Sequence, residues 1–137
     1  MPTTTLWLLR ATLSLHAALA LTQPVSAGSY LSGNFDILAT HGNSGVLLIA
    51  ATAGWGAAAV AYIAANRGAR WPLLLLVPIV FIAEGIQIGM GHQRNLAVHI
   101  PLGVLIVLTA VLLAAWSFTS WARPQRRMTQ AAPGEER

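Results

Sequence analysis

The sequence has no cysteine and no lysine, and little charge of either sign. Without cysteine there is no disulfide framework, no thiolate metal site, no iron–sulfur cluster and no covalent c-type haem attachment. Charged residues make up 9 % of the chain, against roughly 25 % in a soluble domain, too few to cover the surface of a soluble fold. Its carboxylates are Asp36, Glu84, Glu135 and Glu136, two of them at the extreme C-terminus. Long unbroken polar stretches are also missing, apart from the C-terminal tail, which excludes a disordered chain. No nucleotide, phosphate or nucleophile motif is present, and the net charge of +4 comes from arginines at the ends of apolar runs rather than from a nucleic-acid-binding patch.

What the sequence has is apolar length. Four stretches, at about 6–27, 40–65, 71–90 and 96–121, can each cross a hydrocarbon layer of about 30 Å at about 1.5 Å per helical residue. The expected fold is an all-α membrane protein with four transmembrane helices in an up-down-up-down bundle spanning residues 1–122. Residues 123–137 form a polar, disordered cytoplasmic tail. Gln23-Pro24 is expected to break the first helix near its end, leaving a connection of about a dozen residues. The second helix begins at Thr40 or as early as Phe35. Asn34 caps that helix, with Asp36 in its first turn. Pro78 and Pro101 interrupt the third and fourth helices. Gly54, Gly56 and Ala57 to Ala59 make a small-residue face for close packing on a neighbouring helix or a partner subunit.

Arginine placement orients the bundle. Arg10, Arg67, Arg70, Arg123, Arg126 and Arg127 lie at one boundary with Trp7, Trp71, Trp116 and Trp121, and only Arg94 lies at the other. This bias places both termini in the cytoplasm of a multi-pass cell-membrane protein. A cleavable signal peptide over residues 1–27 fits the same charge pattern: Arg10, an apolar run, then Val25-Ser26-Ala27 before Gly28.

The chain also repeats itself. His41-Gly-Asn-Ser-Gly45-Val46-Leu47 matches His99-Ile-Pro-Leu-Gly103-Val104-Leu105, a shared H-x-x-x-G-V-L. Each is preceded by a helix ending in a glutamine and small residues, Gln23 to Gly28 and Gln87 to Gly91. The chain therefore reads as two tandem helical hairpins, a parallel repeat about an axis along the membrane normal. In such a bundle the second and fourth helices lie diagonally, so His41 and His99 face each other at one depth in the outer leaflet. Gly45 and Gly103 sit one turn deeper, leaving room for a flat group or for close helix approach. Two opposed imidazoles across an apolar bundle suit bis-histidine ligation of haem b, with Arg94 and His92 placed for its propionates. Histidines near a membrane surface also serve as plain interfacial polar residues.

Glu84 lies near mid-membrane, where a carboxylate is costly and is expected to be protonated or paired. The first and third helices form the other diagonal, so His16 is its expected partner and Gln87, one turn on, a further one. Such a pair serves a proton relay or a contact to a quinone, or it is a hydrogen-bonded pair that fixes helix register. Trp55, also at mid-membrane, reads as a packing residue.

With these residues in place, residues 19–111 resemble one half of haem A synthase, and also small four-helix membrane proteins of high-GC bacteria. The resemblance is carried by Gln23 to Gly28, His41, Gln87 to Gly91 and His99, and in haem A synthase the second and fourth helices of each half carry the ligand histidines. It implies haem at His41 and His99. That family has catalytic glutamates closely preceding the second-helix histidine, often with an adjoining arginine, whereas Asp36-Ile-Leu-Ala-Thr40-His41-Gly42 has neither. The sequence thus reads as an electron-transfer or haem-handling protein, cytochrome-like, rather than an enzyme; the one enzymatic reading is a haem A synthase-like oxidoreductase. The alternative is a cofactor-free accessory or assembly subunit of a larger membrane complex. Expected partners are the lipid bilayer and a membrane redox partner or larger complex, with homo-oligomerisation compatible and nucleic acid excluded.

Overall fold

A computed structural model describes residues 4–66 and 71–123 of the chain. It contains four helices, α1 (Thr4–Leu31), α2 (Ile37–Ala65), α3 (Leu73–His92) and α4 (Leu96–Phe118), followed by a short 3-10 turn at Ser120–Ala122. No strand occurs among the described residues. All four helices are long and apolar enough to cross a membrane. The chain is a small, multi-pass integral membrane protein, an antiparallel four-helix bundle. Arg67, Arg70, Arg126 and Arg127, and all of the expected tail beyond Arg123, lie outside the described residues.

α1 packs on α2 and α4, and α3 packs on the same two helices, so α1/α3 and α2/α4 are the diagonals. Most of the outer surface is Leu, Ile and Val, for example Val25, Ile79 and Val104. Lipid tails are as apolar as these side chains, so close packing rather than water exclusion holds the helices together. Gly56 shows the device: a Cβ there would lie 2.8 Å from Val77 Cγ1, so α2 and α3 touch at that point.

Several expected boundaries move. α1 does not break at Gln23-Pro24 but runs through Pro24 to Leu31, which shortens the first connection to residues 32–36. Proline is tolerated in membrane helices where hydroxyls and neighbours occupy the disturbed backbone. Here Thr22 Oγ1 donates to the Leu19 carbonyl at 2.6 Å and Ser26 Oγ to the Thr22 and Gln23 carbonyls at 2.9 and 3.0 Å. α3 and α4 likewise run through Pro78 and Pro101. The N-cap of α2 is Asp36 rather than Asn34, whose amide instead donates to Ser29 Oγ at 3.3 Å.

α1 and α3 end in the same way. Gly33 N–H donates to Tyr30 O and Asn34 N–H to Ser29 O; Arg94 N–H donates to Gly91 O and Asn95 N–H to Met90 O. Both are Schellman closures, which place one residue in the left-handed region. Gly33 (φ +98°) fills that position in the first hairpin and Arg94 (φ +56°) in the second.

The bundle is packed at one end and hollow at the other. At the end carrying the termini, Leu6, Leu9, Leu13, Trp55, Tyr62 and Leu73 form a tight core. Arg10 also turns inward there, donating from Nε to the Ser117 carbonyl at 2.9 Å with its guanidinium over the Trp7 and Phe118 rings. A cation at the C-terminal end of α4 meets carbonyls that have no partner within the helix. At the other end the inward positions are small or polar, among them Ala20, Gly45, Gly91 and Gly103, and a cavity of about 580 Å³ remains.

Candidate functional site

The cavity lies between all four helices, toward the 32–36 and 93–95 connections. Its walls are mainly aliphatic, including Leu48, Ile88, Ile106 and Val107, and it is bordered by His41, His99, Glu84, Gln87, His92 and Arg94. Of the sequence-expected residues, the structure brings together the two diagonal pairs and places the rest around them.

His41 from α2 and His99 from α4 face each other with ring centres 6.2 Å apart and planes inclined at 66°. Each ring is held through Nδ1. His99 Nδ1–H donates to the Gln87 carbonyl at 2.8 Å, which leaves the lone pair on Nε2. His41 Nδ1 lies 2.9 Å from Ser26 Oγ. A serine hydroxyl has one proton, and that of Ser26 points at the Thr22 and Gln23 carbonyls. Where that proton stays on the carbonyls, Ser26 accepts from His41 Nδ1 and the lone pair of the ring lies on Nε2. A hydrogen bond at one imidazole nitrogen fixes the tautomer that a metal-ligating histidine needs at the other.

The glycines of the repeat have different neighbours. A Cβ on Gly103 would lie 2.7 Å from Gln87 Nε2, so the Gln87 amide occupies the space that the missing side chain leaves. A Cβ on Gly45 would lie 3.9 Å from Gln23 Oε1, and the Gln23 amide donates to Ser44 Oγ at 2.7 Å. Each hairpin thus sets a glutamine from its first helix over a glycine of its second. Gly91 makes room for the His99 ring, since a Cβ there would be 2.9 Å from Cε1. His92 is exposed and donates from Nδ1 to the Ile88 carbonyl at 2.9 Å.

The second diagonal is deeper. His16 Nε2 lies 2.7 Å from Glu84 Oε1, and both residues are almost fully buried, at 1 % and 2 % exposure. Thr52 of α2 completes the cluster, donating from Oγ1 to Glu84 Oε1 at 3.0 Å and lying 3.1 Å from His16 Nε2. The hydroxyl proton is used on the carboxylate, so His16 Nε2–H is the donor shared by both oxygens. Gln87 does not bond Glu84; its side chain is turned to Gly103 instead. Glu84 Oε2, Gln87 Oε1, His16 Nδ1 and Trp55 Nε1 are buried without a hydrogen-bond partner. Trp55 packs at a ring-centre distance of 6.3 Å from His16.

Thr52 and Ser26 were not distinguishable in the sequence from other hydroxyls in apolar helices, which mostly bond back to their own backbone. Among the described residues no group of three or more histidine or acidic side chains is gathered to hold a metal ion. Two imidazoles alone are too few for a four-coordinate structural zinc. No protein family, curated protein or solved structure compared with the chain matches it.

Proposed function

We propose that this membrane protein binds one haem b between His41 and His99 and serves in electron transfer or haem handling. The observation that carries the reading is the pair of facing imidazoles, each anchored at Nδ1 so that Nε2 is left as a ligand. The aliphatic cavity beside them is the dry slot a macrocycle needs, and Arg94 and His92 border it as partners for propionates. A haem held there supplies reversible one-electron chemistry. The chain's own contributions are the two ligands, their second hydrogen bonds with the Ser26 hydroxyl and to the Gln87 carbonyl, and aliphatic walls.

The resemblance to half of haem A synthase supports the same ligand pair. The absence of glutamate and arginine ahead of His41 favours a cytochrome-like role over hydroxylation. We place both termini in the cytoplasm and the cavity toward the outer face of the cell membrane, on the arginine bias.

Absorption of detergent-purified protein expressed with added haem tests the reading. A Soret band that is lost in the His41→Ala, His99→Ala double variant is the expected result. No Soret band, or one unchanged in the double variant, overturns it. A colourless preparation that carries a stoichiometric partner would instead favour an accessory subunit of a larger complex.

A further inference from the structure

The cavity that holds the two histidines also reaches Glu84, the only carboxylate within the four membrane-spanning helices of the described residues. Glu84 Oε1 is occupied by His16 and Thr52, whereas Oε2 is buried without a partner. An unmet buried acceptor costs about 1–3 kcal/mol, and a carboxylate in a membrane interior is a functional candidate by default. A buried pair kept only for helix register has no use for an unmet oxygen.

We propose that Glu84 is a redox-linked proton acceptor: it takes up a proton at Oε2 when the site between His41 and His99 gains an electron. The inference rests on the haem reading. The balance is simple. One electron arrives from a reduced one-electron donor, which is thereby oxidised; one proton arrives from hydronium at the 93–95 end of the cavity, where an O–H bond breaks and water is left, and one O–H bond forms on Glu84. The physical reason is charge. An added electron in a low-dielectric interior is poorly screened, and a proton on Glu84, which lines the same cavity, offsets it.

The titratable and charged groups around Glu84 are few. α1 presents His16, with Tyr30 further along the cavity; α2 presents His41, with only the hydroxyl of Thr52 level with Glu84. α4 has His99 alone, and α3 and its following loop add His92 and Arg94. His41 and His99 are committed as ligands in this reading, His16 already donates to Oε1, and His92 is spent on the Ile88 carbonyl and exposed. Gln87, on the same face of α3, offers a second bare acceptor, Oε1, along the route.

The test is a spectroelectrochemical titration of the haem-loaded, detergent-purified full chain across neutral pH. One proton taken up per electron lowers the midpoint potential as pH rises, by about 59 mV for each tenfold change in proton concentration. Glu84→Gln, which keeps the size and the hydrogen bonds on Oε1, is expected to retain the Soret band and to lose more than half of that slope. A second readout is the reduced-minus-oxidised infrared spectrum, which should show a carboxyl C=O band that shifts in heavy water and is missing from Glu84→Gln, whereas a band from the haem propionates would remain in that variant. A pH-independent potential overturns the proposal, as does an unchanged slope in a Soret-positive Glu84→Gln, or the lack of a redox-linked carboxyl band. In each of those cases the haem reading stands, whereas absence of the Soret band in the wild type overturns both.

Discussion

Gln87 stands where a side chain on Gly103 would be, its Nε2 2.7 Å from the position of the missing Cβ. The same glutamine offers its backbone carbonyl to His99, so the spacing of α3 and α4 and the aim of the imidazole are set by one residue. Gly103→Ala is expected to expel the Gln87 amide, the far end of a flexible side chain, at about 1 kcal/mol. Gly91→Ala meets the His99 ring itself. Gly42→Ala, with open space around it, serves as the control. Thermal unfolding in detergent, together with the Soret band, should show Gly103→Ala destabilised, Gly91→Ala altered at the haem, and Gly42→Ala unchanged.

Ser26 is expected to matter more than its place in an apolar helix suggests. Ser26→Ala removes the acceptor that keeps the proton on His41 Nδ1. Loss of such an outer partner typically weakens metal binding about 10–100-fold. A haem titration followed at the Soret maximum measures this, and Ser26→Thr, which keeps the hydroxyl, should restore much of the affinity.

Arg94 holds a backbone position that glycine takes in the other hairpin. A left-handed conformation costs an ordinary residue about 1–2 kcal/mol. Arg94→Gly should therefore raise the thermal stability of the haem-free protein by about 1 kcal/mol while weakening haem retention, because the cation beside the cavity is lost. A variant that is both less stable and equally tight in haem binding would contradict this account.

The His16–Glu84 pair predicts a non-additive cycle. Removing one partner leaves the other polar and buried, at about 3–5 kcal/mol. His16→Leu and Glu84→Leu should each destabilise strongly, and the double variant should be less destabilised than their sum. Chemical denaturation in a mild detergent gives the coupling energy, which is zero if the contact carries no weight.

α1 supplies Leu6, Leu9 and Leu13 to the packed core and His16 to the buried cluster. A chain beginning at Gly28 is expected to fail to form a monodisperse bundle, and the N-terminal sequence of the membrane-purified protein should begin ahead of Gly28.

The four helices were legible because apolar length is a property of composition along the chain. The two diagonals followed from short connections and alternating direction, and with them came the candidates His41, His99, His16 and Glu84. Boundaries were less legible. Pro24 reads as a breaker by propensity, yet α1 continues past it, with the hydroxyls of Thr22 and Ser26 on neighbouring backbone carbonyls. Thr52, Ser26 and the inward turn of Arg10 were hidden for another reason. Which face of a helix carries a given residue inward depends on the rotation of each helix relative to the others, and no single-segment pattern encodes that. Gln87 shows the same limit: spacing along α3 suggested Glu84 as its partner, but the gap at Gly103 on another helix claimed the side chain.

The uneven filling of the bundle bears on how a cofactor would arrive. The half carrying the termini closes on itself through Trp55 and the leucines of α1, so cohesion does not depend on anything in the other half. Whatever enters the cavity meets a frame already set at the opposite end.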